Sequence, residues 1–246
     1  MAGIVGELMA LRKPDRAAAE KRYLKSDLVF LGVGVPGIRT TAKHAHHDHP
    51  ALNRTSVLAV VTELWAEPVH ERRMAALEIL GLYRDRLQPP DIGLIERLIR
   101  ESKTWAYVDS FAVAIAGPLV ERFQDLHRVL DRWSTDPDFW IRRSALLALL
   151  PSVKRGGDFN RFARYAEPML TEREFFIRKA IGWVLREVSK SRPQVVYDWL
   201  RPRIGLASGV IVREAVRYLP ALQRDQLLSA YRAGRAGRVT SGRAPR

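Results

Sequence analysis

Trp105 and Asp109 stand four residues apart in Ser102-Lys103-Thr104-Trp105-Ala106-Tyr107-Val108-Asp109-Ser110, so on a helix they share a face one turn apart. A carboxylate and an indole on one face suit the chemistry of a cation. The carboxylate stabilises positive charge as it develops in a transition state, and the indole quadrupole attracts it by roughly 0.5–2 kcal/mol. Ser102 or Thr104 is placed to cap such a helix, which runs on through Phe111, Ala112, Val113 and Ile115. Asp is a poor residue inside a helix, because its short side chain competes for nearby backbone groups. Spacing alone leaves two readings: a first-turn Asp meeting the helix dipole with Trp105 as plain core, or a pair that faces a substrate.

An internal repeat sharpens the choice. A motif recurs in Glu71-Arg72-Arg73-Met74, Ile141-Arg142-Arg143-Ser144, Ile177-Arg178-Lys179-Ala180 and Val212-Arg213-Glu214-Ala215. Its second positions, 72, 142, 178 and 213, leave room for a further copy at Ala106-Tyr107-Val108-Asp109. Asp109 therefore occupies a slot that Met74, Ser144, Ala180 and Ala215 fill elsewhere. Trp183 is equally out of place in a slot that otherwise holds Leu77, Ala112, Leu147 and Tyr218.

The elements that must position these residues read as helix after helix, with no convincing alternating strand. Pro14-Asp15 opens a helix through Lys25; further helices span about 55–65, 69–83, 92–99, 105–115, 120–133, 139–150, 159–170, 172–189, 193–200, 210–219 and 221–231. Paired helices at a period near 35 predict an all-α fold, an α-solenoid of HEAT-like repeats. The repeated arginines are expected to cap carbonyls or pair with acids between layers. Residues 1–13 read as an arm or short helix, 14–231 as the repeat domain, and the Gly/Arg-rich 232–246 as a disordered basic tail. Phe30-Leu31-Gly32-Val33-Gly34-Val35-Pro36 reads as a tight connection whose backbone approaches something closely. Lys43-His44-Ala45-His46-His47-Asp48-His49-Pro50 invites a metal assignment, but with no second ligand cluster it reads as a solvated loop between helices. Pro151 to Asp158 reads as another loop.

The chain has no cysteine, which excludes disulfides, Cys-ligated zinc and thiol catalysis, and no apolar run long enough to span a bilayer. The expectation is a cytoplasmic, nucleoid-associated monomer. The formal charge of +14 is unevenly spread. Residues 151–246 carry 20 basic and 8 acidic side chains, whereas residues 101–150 carry 6 and 7. Such a block suits a polyanion, nucleic acid before anionic membrane. Lys154, Arg155, Lys179 and Arg213 within it are candidate phosphate contacts.

Phe175-Phe176-Ile177-Arg178-Lys179-Ala180-Ile181-Gly182-Trp183-Val184-Leu185-Arg186-Glu187 closely resembles the signature of the DNA alkylation repair enzymes with HEAT-like repeats, the AlkC/AlkD type and its AlkD branch in particular. Tyr23-Leu24-Lys25, Phe30-Leu31-Gly32 with Pro36, Glu63-Leu64-Trp65, Ala75-Ala76-Leu77, Trp105 through Ser110, and Trp140-Ile141 with Arg143 extend the resemblance in order over about residues 15–220. It implies a glycosylase that releases N3- and N7-alkylated purines from double-stranded DNA without a base-flipping pocket. It implies catalytic roles for Asp109, Trp105 and Trp183, and DNA contacts for Tyr23, Arg143 and Arg186. The sequence departs from the pattern at Thr104, Ala106 and Gly34, where an aromatic, an acidic and a polar DNA-contacting residue are found.

The implied chemistry fits these residue types. N3- or N7-alkylation makes the base a cationic leaving group, so no strong acid is needed. Asp109 can stabilise the oxocarbenium-like sugar and orient water. No metal or redox cofactor is called for, and no lysine chemistry that would cut the strand. Two other classes compete: a non-catalytic binder of DNA structure on the same scaffold, and a protein-binding helical scaffold whose binding survives high salt.

Overall fold

Apolar residues at helical spacing leave each segment one face to bury, and capping residues set where segments begin. Asn53, Asp138, Asp158, Glu174 and Ser208 each accept a backbone N–H at the start of their helices. The computed structural model describes residues 1–241, the last seven by their backbone alone. The fold is all-α, as a stack of HEAT-like repeats requires. Among the described residues the β pairing seen is one isolated bridge, Val29 to Val69.

The chain divides into two units, residues 1–123 and from 124 onward. The first holds α1 (Ala2–Ala10), α2 (Pro14–Leu24), α3 (Val35–Asp48), α4 (Arg54–Ala66), α5 (His70–Leu82), α6 (Ile92–Ser102), α7 (Trp105–Ser110) and α8 (Gly117–Arg122). A π-helical stretch, Phe111–Ala116, joins α7 to α8. The second holds α9 (His127–Trp133), α10 (Phe139–Ala148), α11 (Leu150–Lys154), α12 (Phe159–Met169), α13 (Phe175–Ser189), α14 (Pro193–Leu200), α15 (Gly209–Ala215) and α16 (Ala221–Ser241). In the second unit the motif-bearing helices stack in sequence, α10 on α13 and α13 on α15. Two of the repeated arginines close their helix entries in matching ways. Arg142 donates to the carbonyl of Asp136, and Arg178, one repeat on, to that of Glu172. Arg142 also forms a two-pronged pair with Glu172 at 2.7 and 3.0 Å.

Several expectations need correction. The helix expected over about 105–115 does not end there but runs on past Gly117-Pro118. Pro118 has no N–H for the carbonyl four residues back, and the π-helical widening ahead of it lets the chain continue to Arg122. The expected helix over 120–133 is broken instead at Phe123, where the backbone leaves helical angles. The histidine run is not a loop: residues through Asp48 complete α3, started by Pro36 in its first turn. Among the described residues no group of three or more His, Asp or Glu side chains is gathered to hold a metal. Part of the 151–158 loop is helical as α11. The expected tail is helical to Ser241 in α16, and residues 242–246 lie outside those described. Among the described residues no helix is long and apolar enough to cross a membrane.

Candidate active site

In the first unit, Trp105 opens α7 and is 38% exposed. A large indole at a helix start would ordinarily go to the core, so the plain-core reading of Trp105 fails. Tyr23, at the end of α2 and 74% exposed, meets it edge to face with ring centroids 6.4 Å apart. Asp109 is the fifth residue of α7 and half-buried, so it is no first-turn partner of the helix dipole. The residues in its slot elsewhere, Met74, Ser144, Ala180 and Ala215, are all buried. Thr104 sits at the N-cap of α7 without a capping bond from its side chain, and Ser102 instead ends α6, donating to the carbonyl of Leu98.

What holds α7 in place lies behind it. Tyr107 is fully buried and its hydroxyl lies 2.5 Å from Nδ1 of buried His70. Burial pushes the Tyr107 hydroxyl above its usual range and pulls the imidazole of His70 down to about 4. Near neutral pH the tyrosine therefore donates and the uncharged ring accepts. Phe30 stacks on His70 at 4.5 Å, and Trp65 packs edge-on against both Tyr107 and Phe111. Trp65 is fixed in turn by its indole N–H to Glu101 at 2.7 Å and by Arg73 over its ring at 5.0 Å. Trp105 and Asp109 thus ride on a short helix with a rigid, aromatic back.

The connection before α3 is as tight as its glycines suggest. Gly32 has φ of +80°, and a Cβ there would meet the Lys13 carbonyl oxygen at 2.0 Å. The buried carboxylate of Glu71 accepts the backbone N–H groups of Leu31, Gly32 and Val33 at 2.7 to 3.1 Å. At Gly34 the guanidinium of Arg16 lies where a Cβ would point. Sequence reasoning missed Arg16, because only the fold brings α2 alongside residue 34.

In the second unit, Trp183 is half-buried on α13, bracketed at i−4 and i+3 by Lys179 and Arg186. Glu214 of α15 binds both cations, Lys179 at 2.7 Å and Arg186 at 2.6 Å. Gly182 permits this close approach, since a Cβ there would touch the Glu214 side chain at 2.9 Å. Next to it, Glu187 gathers Lys190 at 2.7 Å and Lys154 at 3.4 Å. Burial pushes both glutamates up, but their cationic neighbours outweigh it and the net shift is down. Four cations so share two carboxylates, leaving excess positive charge beside Trp183. Glu187, Lys190 and Glu214 were not singled out from sequence, although their acid–base spacing was visible. Lys154, Arg155 and Arg213 are exposed. Arg143 differs: it is 4% exposed, donates to the Phe176 carbonyl and lies 5.8 Å from the Phe176 ring. Its visible work is to join α10 to α13.

Lys179→Met offers a clean test of the cluster, because Glu214 keeps Arg186. The variant is expected to weaken binding to every duplex sequence alike and to flatten the log K against log salt slope by about one unit. Anisotropy titrations at several salt concentrations measure this; a loss that depends on base sequence with an unchanged slope contradicts a phosphate contact.

Stacked helical repeats with an aromatic pair and carboxylate in one unit, and an indole among cations in the other, define an all-α repeat protein with a basic, aromatic-bearing surface. The sequence matches the DNA alkylation repair enzyme family over residues 4–219, and the chain belongs to that family. Its fold is similar to a predicted DNA alkylation repair enzyme from Enterococcus faecalis, with a TM-score of 0.77 and 23% identity over 85% of this chain and 97% of that one. AlkD2 from Streptococcus mutans is similar with a TM-score of 0.59 and 17% identity, over 76% of this chain and 91% of that one. No curated protein matches the sequence.

Proposed function

We propose that the protein is a monofunctional DNA glycosylase that hydrolyses the N-glycosidic bond of cationic N3- and N7-alkylated purines in duplex DNA, acting as a monomer and without enclosing the base in a pocket. The observation that carries this reading is the exposed Trp105–Tyr23 pair with Asp109 one turn on, set on a helix anchored by buried Tyr107. The C1′–N bond breaks with its electron pair leaving on the base, which neutralises the charge introduced by alkylation. Asp109 stabilises the oxocarbenium-like sugar and orients the water that adds to C1′, whose proton is lost to solvent. Trp105 and Trp183 offer indole faces to cationic sugar or base. Tyr23, Arg16, Lys179, Arg186, Lys154, Arg155 and Arg213 grip the duplex, while Arg143 supports them by fixing α13.

The catalytic set of Asp109, Trp105 and Trp183 includes no acid to protonate a neutral leaving base. Duplexes carrying N7-methylguanine or N3-methyladenine are therefore expected to lose the base under excess enzyme, and those carrying uracil, hypoxanthine or 8-oxoguanine are not. Bulky cationic adducts are also expected to be released, since binding follows sugar and phosphate. Efficient release of hypoxanthine contradicts the electrostatic mechanism. Tight binding with no release of any cationic base favours a non-catalytic binder.

A further inference from the structure

Among the described residues four have a positive φ. Two are glycines, Gly32 and Gly156, the residue type that adopts this conformation without strain. The other two are Lys25, at +49°, and Lys103, at +51°. Lys25 stands two residues after Tyr23 and closes α2; Lys103 stands two residues before Trp105 and closes α6. The two strained lysines therefore flank the two aromatic rings that meet at the candidate active site.

A left-handed residue after a helix turns the chain sharply, which accounts for the backbone at both positions. It does not account for lysine, because glycine makes the same turn without the clash of a Cβ. A positive charge favours a helix C-terminus, but Lys21 and Arg22 in the last turn of α2 and Arg100 in that of α6 already supply it. Backbone strain kept for a side chain that the fold does not need points to a function for that side chain.

The surroundings say which function. Both lysines are exposed, and among the described residues neither ammonium group has an ion-pair partner. Both line one cleft of about 150 Å³ in the first unit, whose other charged residues are Arg73, Asp27 and Glu101. Arg73 is drawn to Trp65, donating to its carbonyl at 3.2 Å. Glu101 accepts the Trp65 indole N–H at 2.7 Å and pairs with Arg97 at 3.8 Å. That leaves Asp27 alone to oppose two ammonium groups beside exposed aromatic rings.

We propose that Lys25 and Lys103 clamp a backbone phosphate of duplex DNA beside the Tyr23–Trp105 pair. An ammonium group binds phosphate as a point charge, without the planar geometry a guanidinium requires. Such a contact fixes the register of the strand along the aromatic pair and carries no base preference. The inference rests on the duplex-binding part of the proposed function and not on base release.

The test is anisotropy titration of the full-length protein with an undamaged duplex at several salt concentrations, with melting temperature measured alongside. Wild type is compared with Lys25→Gly, Lys103→Gly and the double variant. Glycine removes the charge and the strain together, so the two readouts should part. Each single variant is expected to melt at or above the wild-type temperature. Each should bind several-fold more weakly near physiological salt and flatten the log K against log salt slope by about one unit. Lys103→Arg keeps the charge and should keep both affinity and slope. Wild-type affinity and slope in the double variant overturn the proposal. So does a lower melting temperature in either glycine variant, which would make that lysine a stabiliser of its helix end. The clamp and the glycosylase reading fail separately: a protein that binds duplex through these lysines but releases no base keeps the clamp, and a wild type that binds no duplex loses both.

Discussion

Asp109→Asn is expected to lower single-turnover release of N7-methylguanine by roughly 10²–10³-fold while leaving the melting temperature and duplex affinity close to wild type. The substitution preserves size, removes the charge and turns one of the two acceptor oxygens into a donor. What holds α7 in place is Tyr107, Val108 and Phe111, all buried, and none of these depends on the Asp109 charge. A loss of that size corresponds to about 3–4 kcal/mol of transition-state stabilisation, the scale of one well-placed electrostatic group. Release at the wild-type rate would remove Asp109 from the chemistry. Loss of the cooperative thermal transition would make it a structural residue instead.

The second large effect is on stability against pH. Burial lowers the folded value of His70 to about 4, with the smaller influence of Glu20 opposing it, against about 6.5 for an unfolded histidine. Between these values the unfolded chain binds a proton that the folded chain refuses. Stability therefore falls as pH drops through this window; the contribution is complete above about pH 6.5 and gone near pH 4. At 1.36 kcal/mol per unit this amounts to about 3 kcal/mol. His70→Asn keeps an acceptor for Tyr107 and removes the titration. Melting curves between pH 4 and 7.5 should be flatter for the variant. The difference between the two proteins is the relevant quantity, because burial and the Arg161 charge also lower His127. Parallel curves for the two proteins would mean that His70 does not govern acid lability. Glu187 and Glu214 act in a lower window. Their depressed values give stability that is present above about pH 4.3 and lost as pH falls below it.

The all-α architecture was legible because each repeat writes its own apolar period and its own arginine. The same repetition made Asp109 and Trp183 visible, as residues that break a slot pattern. What could not be read was anything that depends on which helices touch. His70 and Tyr107 are 37 positions apart, and so are Arg54 and Asp91, whose pairing closes the start of α6. Arg143 is the opposite case. The resemblance implied a DNA contact for it, and only the fold shows its guanidinium meeting the carbonyl and the ring of Phe176 within the helix stack. The histidine run was misread because four imidazoles look like a loop or a metal site, whereas Pro36 in the first turn and Ile38 and Ala42 on the buried face make it the end of an ordinary helix.

The Glu71 carboxylate, clasping three successive amides of the Leu31–Val33 connection, has a consequence for hydrogen–deuterium exchange. A segment outside regular secondary structure ordinarily exchanges its amide protons quickly. Here those three protons open only when α5 lets go of the segment, so they should exchange with the slow class of the first unit's helices. Glu71→Gln cannot repair the clasp, because one side of the amide donates where all three backbone groups need an acceptor. The labelling pattern would then report directly on the segment that carries Phe30 to its seat on His70, and so on the helix that bears Trp105 and Asp109.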